Sequence, residues 1–179
     1  LLDEKYLKTM SRAGLVNTCV DALCHLLESY LNTNSNELNR LYSREGLTLW
    51  GQFKDRLLAD ALEETDFQTM LHASMVAGMS ITHTGTSLPH GMSYPVTYRL
   101  HIPHGRACGI FLGGYVENYV NQEEATSAVR LLGFETPAQL RVYLNQLLGE
   151  VPVEETLLKT AAASLLADPE LFAILEKGD

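Results

Sequence analysis

The sequence has no long apolar run and no excess of basic residues. No stretch reaches the roughly 18 consecutive apolar residues from which a membrane-spanning helix is recognised, so we expect no membrane span. Lysine and arginine number 13 against 22 aspartates and glutamates, which gives a net charge of -9. An acidic surface repels phosphate backbones, and the basic residues form no patch. Nucleic acid is therefore not an expected partner.

Cysteine is sparse. Cys19, Cys24 and Cys108 form an odd set without CxxC spacing. This pattern argues against a disulfide framework and against a zinc ribbon. Reduced, buried thiols in a cytoplasmic protein are the expectation, because disulfides persist mainly in oxidising compartments.

Several catalytic and nucleotide-binding motifs are also missing. The chain contains no GxSxG nucleophile elbow, no GxGxxG or GxxxxGK[ST] phosphate loop and no HExxH. It begins at Leu1 without the pattern of a signal peptide. We therefore expect a piece of a longer protein, forming one helical domain over residues 1–179.

Helical periodicity dominates the sequence, and no convincing strand alternation interrupts it. A capping box at Thr65–Gln68 indicates the start of the third helix, and Pro103 suits the first position of a later one. The pattern predicts an all-α, bundle-like domain of about eight helices. The predicted ranges are 15–31, 37–63, 65 to 79 or beyond, 103–119, 122–132, 137–148, 153–166 and 169–176.

A polar stripe crosses the first helix, which is otherwise apolar nearly all round. Asp21 and His25 lie one turn apart on it, between Asn17 and Glu28. A buried carboxylate is costly unless something pairs with it. The residues alone leave two interpretations open, a hydrogen-bonded Asp–His pair in the core or metal ligation, and they favour the pair.

Two Pro-His-Gly triplets place His90 and His104 14 residues apart. Glycine after a histidine lets the backbone turn sharply and leaves the imidazole unshielded. A helix beginning at Pro103 would disfavour a charged His104, and a metal requires a neutral imidazole. Taken singly, each is more often an ordinary loop histidine. One carboxylate and three imidazoles together would suit Fe(II) or Zn(II).

Three blocks of sequence resemble the signatures of the iron-containing (group III) alcohol dehydrogenases. The resemblance extends over roughly residues 10 to 115, and the order and spacing of the blocks agree with the family. The tail beyond about residue 120 is only generically similar. The blocks are Asp21–Tyr30, Ala73–Met79 followed by Gly85 and His90, and Pro103–Ala107.

The resemblance implies the C-terminal, dehydroquinate synthase-like helical half of such an enzyme. The positions that match the family's metal ligands are Asp21, His25, His90 and His104. An N-terminal α/β domain, absent from this chain, would bind NAD or NADP. The implied reaction interconverts a small alcohol and an aldehyde or ketone, with Fe(II) or Zn(II) as Lewis acid. The resemblance also suggests a homodimer, and we expect the chain alone to be inactive.

One position departs from the family pattern. The family often has a histidine four residues after its third ligand, and here that residue is Tyr94. A tyrosine is a poor base at neutral pH, so the proton route involves Tyr94, His83, His101 or water. We assign Tyr94 and His83 as candidate catalytic residues, and Ile81 and Tyr94 as candidate cofactor-binding residues.

Two other functions remain open. The first is a zinc-dependent polyol dehydrogenase or dehydroquinate-synthase-like enzyme, which would use three protein ligands. The second is a degenerate helical module that only mediates assembly.

Overall fold

The all-α prediction is confirmed over residues 2–167, which a computed structural model describes without any strand. No helix within this range combines the length and the apolar character that crossing a bilayer requires. The helix predicted at 169–176 lies outside the described residues. The elements are a short 3₁₀ helix (Glu4–Thr9), α1 (Arg12–Tyr30), α2 (Glu37–Ala59), α3 (Glu64–Thr84), α4 (Leu88–Leu100), α5 (His104–Glu117), α6 (Gln122–Leu131), α7 (Pro137–Leu148) and α8 (Glu155–Leu166).

Helix α1 is the centre of the domain. It packs against α2, α3 and α5, which explains why its apolar residues cover most of its surface. Val20, Leu23 and Leu27 are fully buried in the core that these helices form. The indole of Trp50 on α2 donates a hydrogen bond to the Cys19 carbonyl oxygen at 2.9 Å. Because α1 is fixed in the core, the polar residues that it carries have defined positions.

Glycines allow α5 to approach α1 closely. A Cβ at Gly105 would overlap the carbonyl oxygen of Asn17, and one at Gly109 would lie 2.5 Å from a methyl group of Val20. A larger residue at Gly105 would push the helices apart, because the added atoms would meet backbone. The approach sets the distance between His104, which begins α5, and the polar stripe of α1.

A buried polar network joins α1, α2 and α3. The Ser80 hydroxyl donates to Ser29 Oγ at 2.8 Å, and the Asn39 amide donates to the same oxygen at 3.0 Å. Thr84 adds a third hydrogen bond to Ser29 Oγ, also at 3.0 Å. Buried hydroxyls satisfied in this way fix the relative positions of the helices that carry them.

The junction between α2 and α3 differs from the prediction. Helix α2 ends at Ala59, because Asp60 adopts a left-handed conformation with φ of 55°. Helix α3 begins at Glu64, and the predicted capping box at Thr65 is wrong. Asp66 caps the helix instead, since its carboxylate accepts the Glu63 N–H at 2.8 Å.

Helix α4 lies where the sequence predicts no helix, because a proline inside a helix removes a backbone hydrogen bond. Pro89 lies in the first turn, where a missing N–H costs little, but Pro95 lies inside the helix. The helix closes at His101, which is left-handed with φ of 54°. Pro103 is the residue preceding α5 rather than its first residue. Tertiary packing outweighs the local signal of Pro95.

Candidate metal centre

Three helices bring one carboxylate and three imidazoles together. Asp21 and His25 lie on α1, His90 lies in the first turn of α4, and His104 begins α5. Asp21 Oδ1 is 3.5 Å from His90 Nε2 and 3.6 Å from His104 Nε2. His25 Nε2 is 4.0 Å from the other carboxylate oxygen, Oδ2. The three predicted histidine ligands thus lie around the Asp21 carboxylate, and their role as ligands stays a prediction.

The imidazole rings are packed against one another. The rings of His25 and His90 stack with centroids 4.7 Å apart, and those of His90 and His104 meet edge to face at 5.2 Å. His90 is almost fully buried, whereas His25 and His104 are partly exposed. The cluster therefore has one closed side and one side open to solvent.

A second carboxylate orients His90. The fully buried Glu28 accepts a hydrogen bond from His90 Nδ1 at 2.5 Å and another from the Ser87 N–H at 2.5 Å. With Nδ1 held by Glu28, the ring turns its Nε2 toward Asp21. Metal-binding histidines are commonly held by such an outer carboxylate.

Two buried atoms of the cluster lack hydrogen-bond partners among the described residues. They are Asp21 Oδ1 and His90 Nε2, which face each other. Leaving such atoms unpaired is costly, and they are the atom types that Fe(II) and Zn(II) bind. The residues present therefore fit a divalent metal ion.

The electrostatics of the cluster favour a positive charge. Burial opposes protonation of His90, but Asp21, Cys108 and Glu28 outweigh it and raise the pKa of His90 to about 12. Burial likewise opposes ionisation of Asp21, but the neighbouring imidazoles of His90, His25 and His104 outweigh it and lower the pKa of Asp21. Burial lowers the pKa of His25, which keeps that ring neutral and able to bind a metal.

Sequence reasoning did not assign Glu28 or Cys108 to the site. Glu28 lay on the polar stripe of α1, which was the available signal. Cys108 follows His104 by four residues, so both occupy one face of α5. Its Sγ lies 3.5 Å from His104 Nε2. A hydrogen bond with Cys24 is the main cause that lowers the pKa of Cys108 to about 6.

The other predicted site residues differ in position. The Tyr94 ring stacks on His104 with centroids 5.8 Å apart, and the residue is 56% exposed. His83 is exposed, and its ring lies against Tyr42 of α2 rather than against a ring of the cluster. Ile81 is half-buried one turn from the end of α3. The structure brings only Tyr94 of these three into ring contact with the cluster.

The fold and the site together define a helical domain with a candidate mononuclear metal centre. The sequence matches the C-terminal region of the Fe-containing alcohol dehydrogenase family over residues 15–162. This match covers most of the chain, and the chain belongs to that family.

Individual relatives agree with this assignment. The chain is 30% identical over 113 residues to phosphonoacetaldehyde reductase of Streptomyces viridochromogenes, covering 63% of this chain and 29% of that protein. It is 24% identical over 180 residues to 4-hydroxybutyrate dehydrogenase of Clostridium kluyveri, covering 94% of this chain and 48% of that protein. The crystal structure of an iron-containing alcohol dehydrogenase from Thermotoga maritima matches with a TM-score of 0.79 at 27% identity. The match covers 96% of this chain and 47% of that one. The chain thus spans about half the length of this solved relative, and less of some others.

Proposed function

We propose that this chain is the metal-binding catalytic half of an NAD(P)-dependent dehydrogenase that interconverts a small alcohol and an aldehyde or ketone. The observation that carries the proposal is the Asp21 carboxylate, which lies within 4.0 Å of three imidazoles. The relatives support it through their names, a reductase of an aldehyde and a dehydrogenase of a hydroxy compound. These are the two directions of one interconversion.

Asp21, His25, His90 and His104 would hold one divalent ion, Fe(II) or Zn(II). When bound, the ion supplies a Lewis acid that stabilises negative charge on the substrate oxygen. Glu28 holds the His90 ring in the tautomer that such an ion requires. The partly exposed faces of His25 and His104 leave room on the solvent side for a substrate oxygen.

The Tyr94 phenol lies beside His104 and faces solvent, so it can donate a hydrogen bond toward a substrate or the nicotinamide. We propose Tyr94 as a contact to both, with His83 and Ile81 as residues of the wider pocket.

NAD or NADP would be bound by an α/β domain outside this chain. A homodimer is proposed from the family, and the three free, buried cysteines support a reducing compartment such as the cytoplasm.

Metal content tests the proposal directly. The chain and a His90→Ala/His104→Ala variant would be loaded anaerobically with Fe(II) and separately with Zn(II), and then desalted for elemental analysis. We expect about one tightly held ion per chain in the parent and little in the variant, because the variant loses two of four ligands. A His72→Ala variant, changed on α3, should bind like the parent.

Equal metal content in parent and double variant would place the metal elsewhere and contradict the site. No specific metal in the parent would contradict the proposal itself. That second result would favour a helical domain that only mediates assembly.

A further inference from the structure

Two cysteines face each other across the contact between α1 and α5. Cys24 follows Asp21 by three residues, so it lies on the side of α1 that α5 approaches. Cys108 lies between Gly105 and Gly109, the two glycines of α5 that meet α1. Both cysteines are fully buried, and both are free thiols. They thus occupy facing positions on one closely packed pair of helices.

The helices approach closely enough for a covalent bond between these residues. A disulfide requires Cα atoms about 4.4–6.8 Å apart, whereas the axes of packed helices are ordinarily about 8–10 Å apart. Gly105 shortens this distance, since its backbone lies directly against the Asn17 carbonyl. The two thiols also contact each other. Burial and a hydrogen bond with Cys108 raise the pKa of Cys24, and the same hydrogen bond lowers the pKa of Cys108.

The third cysteine lies elsewhere. Cys19 is also on α1, but it lines a small cavity together with Trp50 and Phe53 of α2 and Met70 of α3. It therefore faces the α2 and α3 side of α1, while Cys24 faces α5. The chain thus contains an internal control, a buried thiol that the fold keeps apart from the pair.

Cys108 is the member of the pair that a small oxidant can approach. Its Sγ lies 3.5 Å from His104 Nε2, and the His104 side chain is 39% exposed. A peroxide is little larger than water and can pass this ring where the cluster is open to solvent. Oxidation at Cys108 would then place the oxidised sulfur beside a second thiol, that of Cys24.

We propose that Cys24 and Cys108 form a redox-active pair, which a peroxide converts into a disulfide joining α1 to α5. With hydrogen peroxide, the Cys108 sulfur bonds to one oxygen, the O–O bond breaks, and the other oxygen leaves as water with the thiol proton. The Cys24 sulfur then attacks the Cys108 sulfur, the S–O bond breaks, and a second water leaves with the second thiol proton. Two thiols and one hydrogen peroxide thus give one disulfide and two waters.

This inference goes beyond the proposed dehydrogenase activity and requires no bound metal. Disulfides of cytosolic proteins are usually transient and catalytic or redox-sensing. The bond would connect the helix that carries Asp21 and His25 to the helix that begins at His104. Oxidation would therefore fix the contact between α1 and α5 covalently.

Counting thiols on the folded, chelator-treated chain tests the pair. The chain would be exposed to hydrogen peroxide, freed of the excess, and unfolded for thiol titration. We expect a loss from three thiols to one per chain, with Cys24 joined to Cys108 in the peptide map and Cys19 unmodified. Dithiothreitol should restore all three thiols. Cys19→Ser should form the same bond, whereas Cys24→Ser should form none.

Thermal unfolding provides a second readout. A disulfide restricts the unfolded chain, so the oxidised parent should melt at a higher temperature than the reduced parent, and Cys24→Ser should lack this increase. Circular dichroism would confirm that the variants are folded, and the peptide map of the parent needs no variant.

Three thiols remaining after peroxide treatment would overturn the pair. So would oxidation of Cys108 without a cross-link, or a cross-link that involves Cys19 or a second chain. None of these results depends on metal content, so they leave the test of the proposed function separate.

Discussion

At the scale of single residues, Glu28 shows how one buried side chain can fix the orientation of a candidate metal ligand, His90. Its two oxygens accept separate hydrogen bonds, one from His90 Nδ1 and one from the Ser87 N–H. Both donors are buried with it, so neither can turn to water instead. The carboxylate is therefore required as a double acceptor and as a compensating charge.

Replacing Glu28→Gln should weaken Zn(II) binding by ~10- to 100-fold, the range typical of outer-shell partners. An amide offers one acceptor oxygen where the site needs two, so one buried donor is left unpaired. Chelator competition would measure the dissociation constant, with Glu155→Gln on the exposed face of α8 as control. An unchanged dissociation constant in a folded Glu28→Gln variant would show that Glu28 does not orient His90.

At the scale of helices, the contact between α1 and α5 decides whether the ligands meet. Gly105 lies next to His104 and directly against the Asn17 carbonyl, while Gly114 of the same helix has open space around it. One helix therefore contains a glycine that the packing needs and a glycine that it does not need.

Gly105→Ala should destabilise the domain by about 1–3 kcal/mol and weaken metal binding, because the added methyl forces α5 away from α1. Gly114→Ala should have the opposite sign and stabilise it by about 0.5–1 kcal/mol, since alanine loses less entropy in a helix. Thermal unfolding and zinc titration of both variants check this. Stabilisation by both substitutions would mean that the close approach at Gly105 is not required.

The start of α3 depends on one carboxylate. Asp66 is buried, accepts the Glu63 N–H, and forms two hydrogen bonds with the Arg56 guanidinium at 2.7 and 2.5 Å. The Arg56 hydrogen bond is the main cause that lowers the pKa of Asp66. Asp66 thereby links the start of α3 to the end of α2.

Asp66→Asn should lower the free energy of unfolding by about 1–3 kcal/mol near neutral pH, because it removes a cap and a charged acceptor. A lowered carboxyl pKa means that this contribution is complete above the ordinary value of 3.8 and is lost as the pH falls through the folded-state value. Urea unfolding across this pH range should therefore show the two curves converging in acid. A constant gap at all pH values would disprove the linkage.

At the scale of the whole molecule, the proposed ligands come from three helices that are distant in sequence. A metal bound only by the folded state stabilises it by RT ln(1 + [L]/Kd), about 2.7 kcal/mol at one hundred times Kd. We expect Zn(II) to raise the melting temperature of the parent and to leave the His90→Ala/His104→Ala variant unchanged. Equal shifts in both would indicate nonspecific binding.

The same chain should bind metal without catalysing the reaction. It contains the proposed ligands but no glycine-rich dinucleotide-binding motif. We expect no NAD(P)-dependent alcohol oxidation by the metal-loaded chain alone, measured as nicotinamide absorbance. Turnover by this chain without another domain would contradict the proposal that an α/β domain outside this chain binds the NAD or NADP.

The sequence by itself determined the elements whose signals are local. Apolar periodicity identified α1, and the predicted range 137–148 agrees with α7, which Thr136 caps, because caps and helical spacing act within a few residues. The spacing of Asp21 and His25 placed both on one face of α1 for the same reason. Motif resemblance then indicated which histidines, far away in the chain, belong with them.

Only the tertiary structure decided how these elements meet. The helical state of α4 across Pro95, the link from Asp66 to Arg56, and the contact of Glu28 with His90 all depend on residues outside the local pattern. The cost of a proline in a helix or of a buried carboxylate is balanced by contacts that no local pattern encodes. For that reason the sequence could indicate the candidate ligands, while the packing of α1, α4 and α5 decided the distances between them.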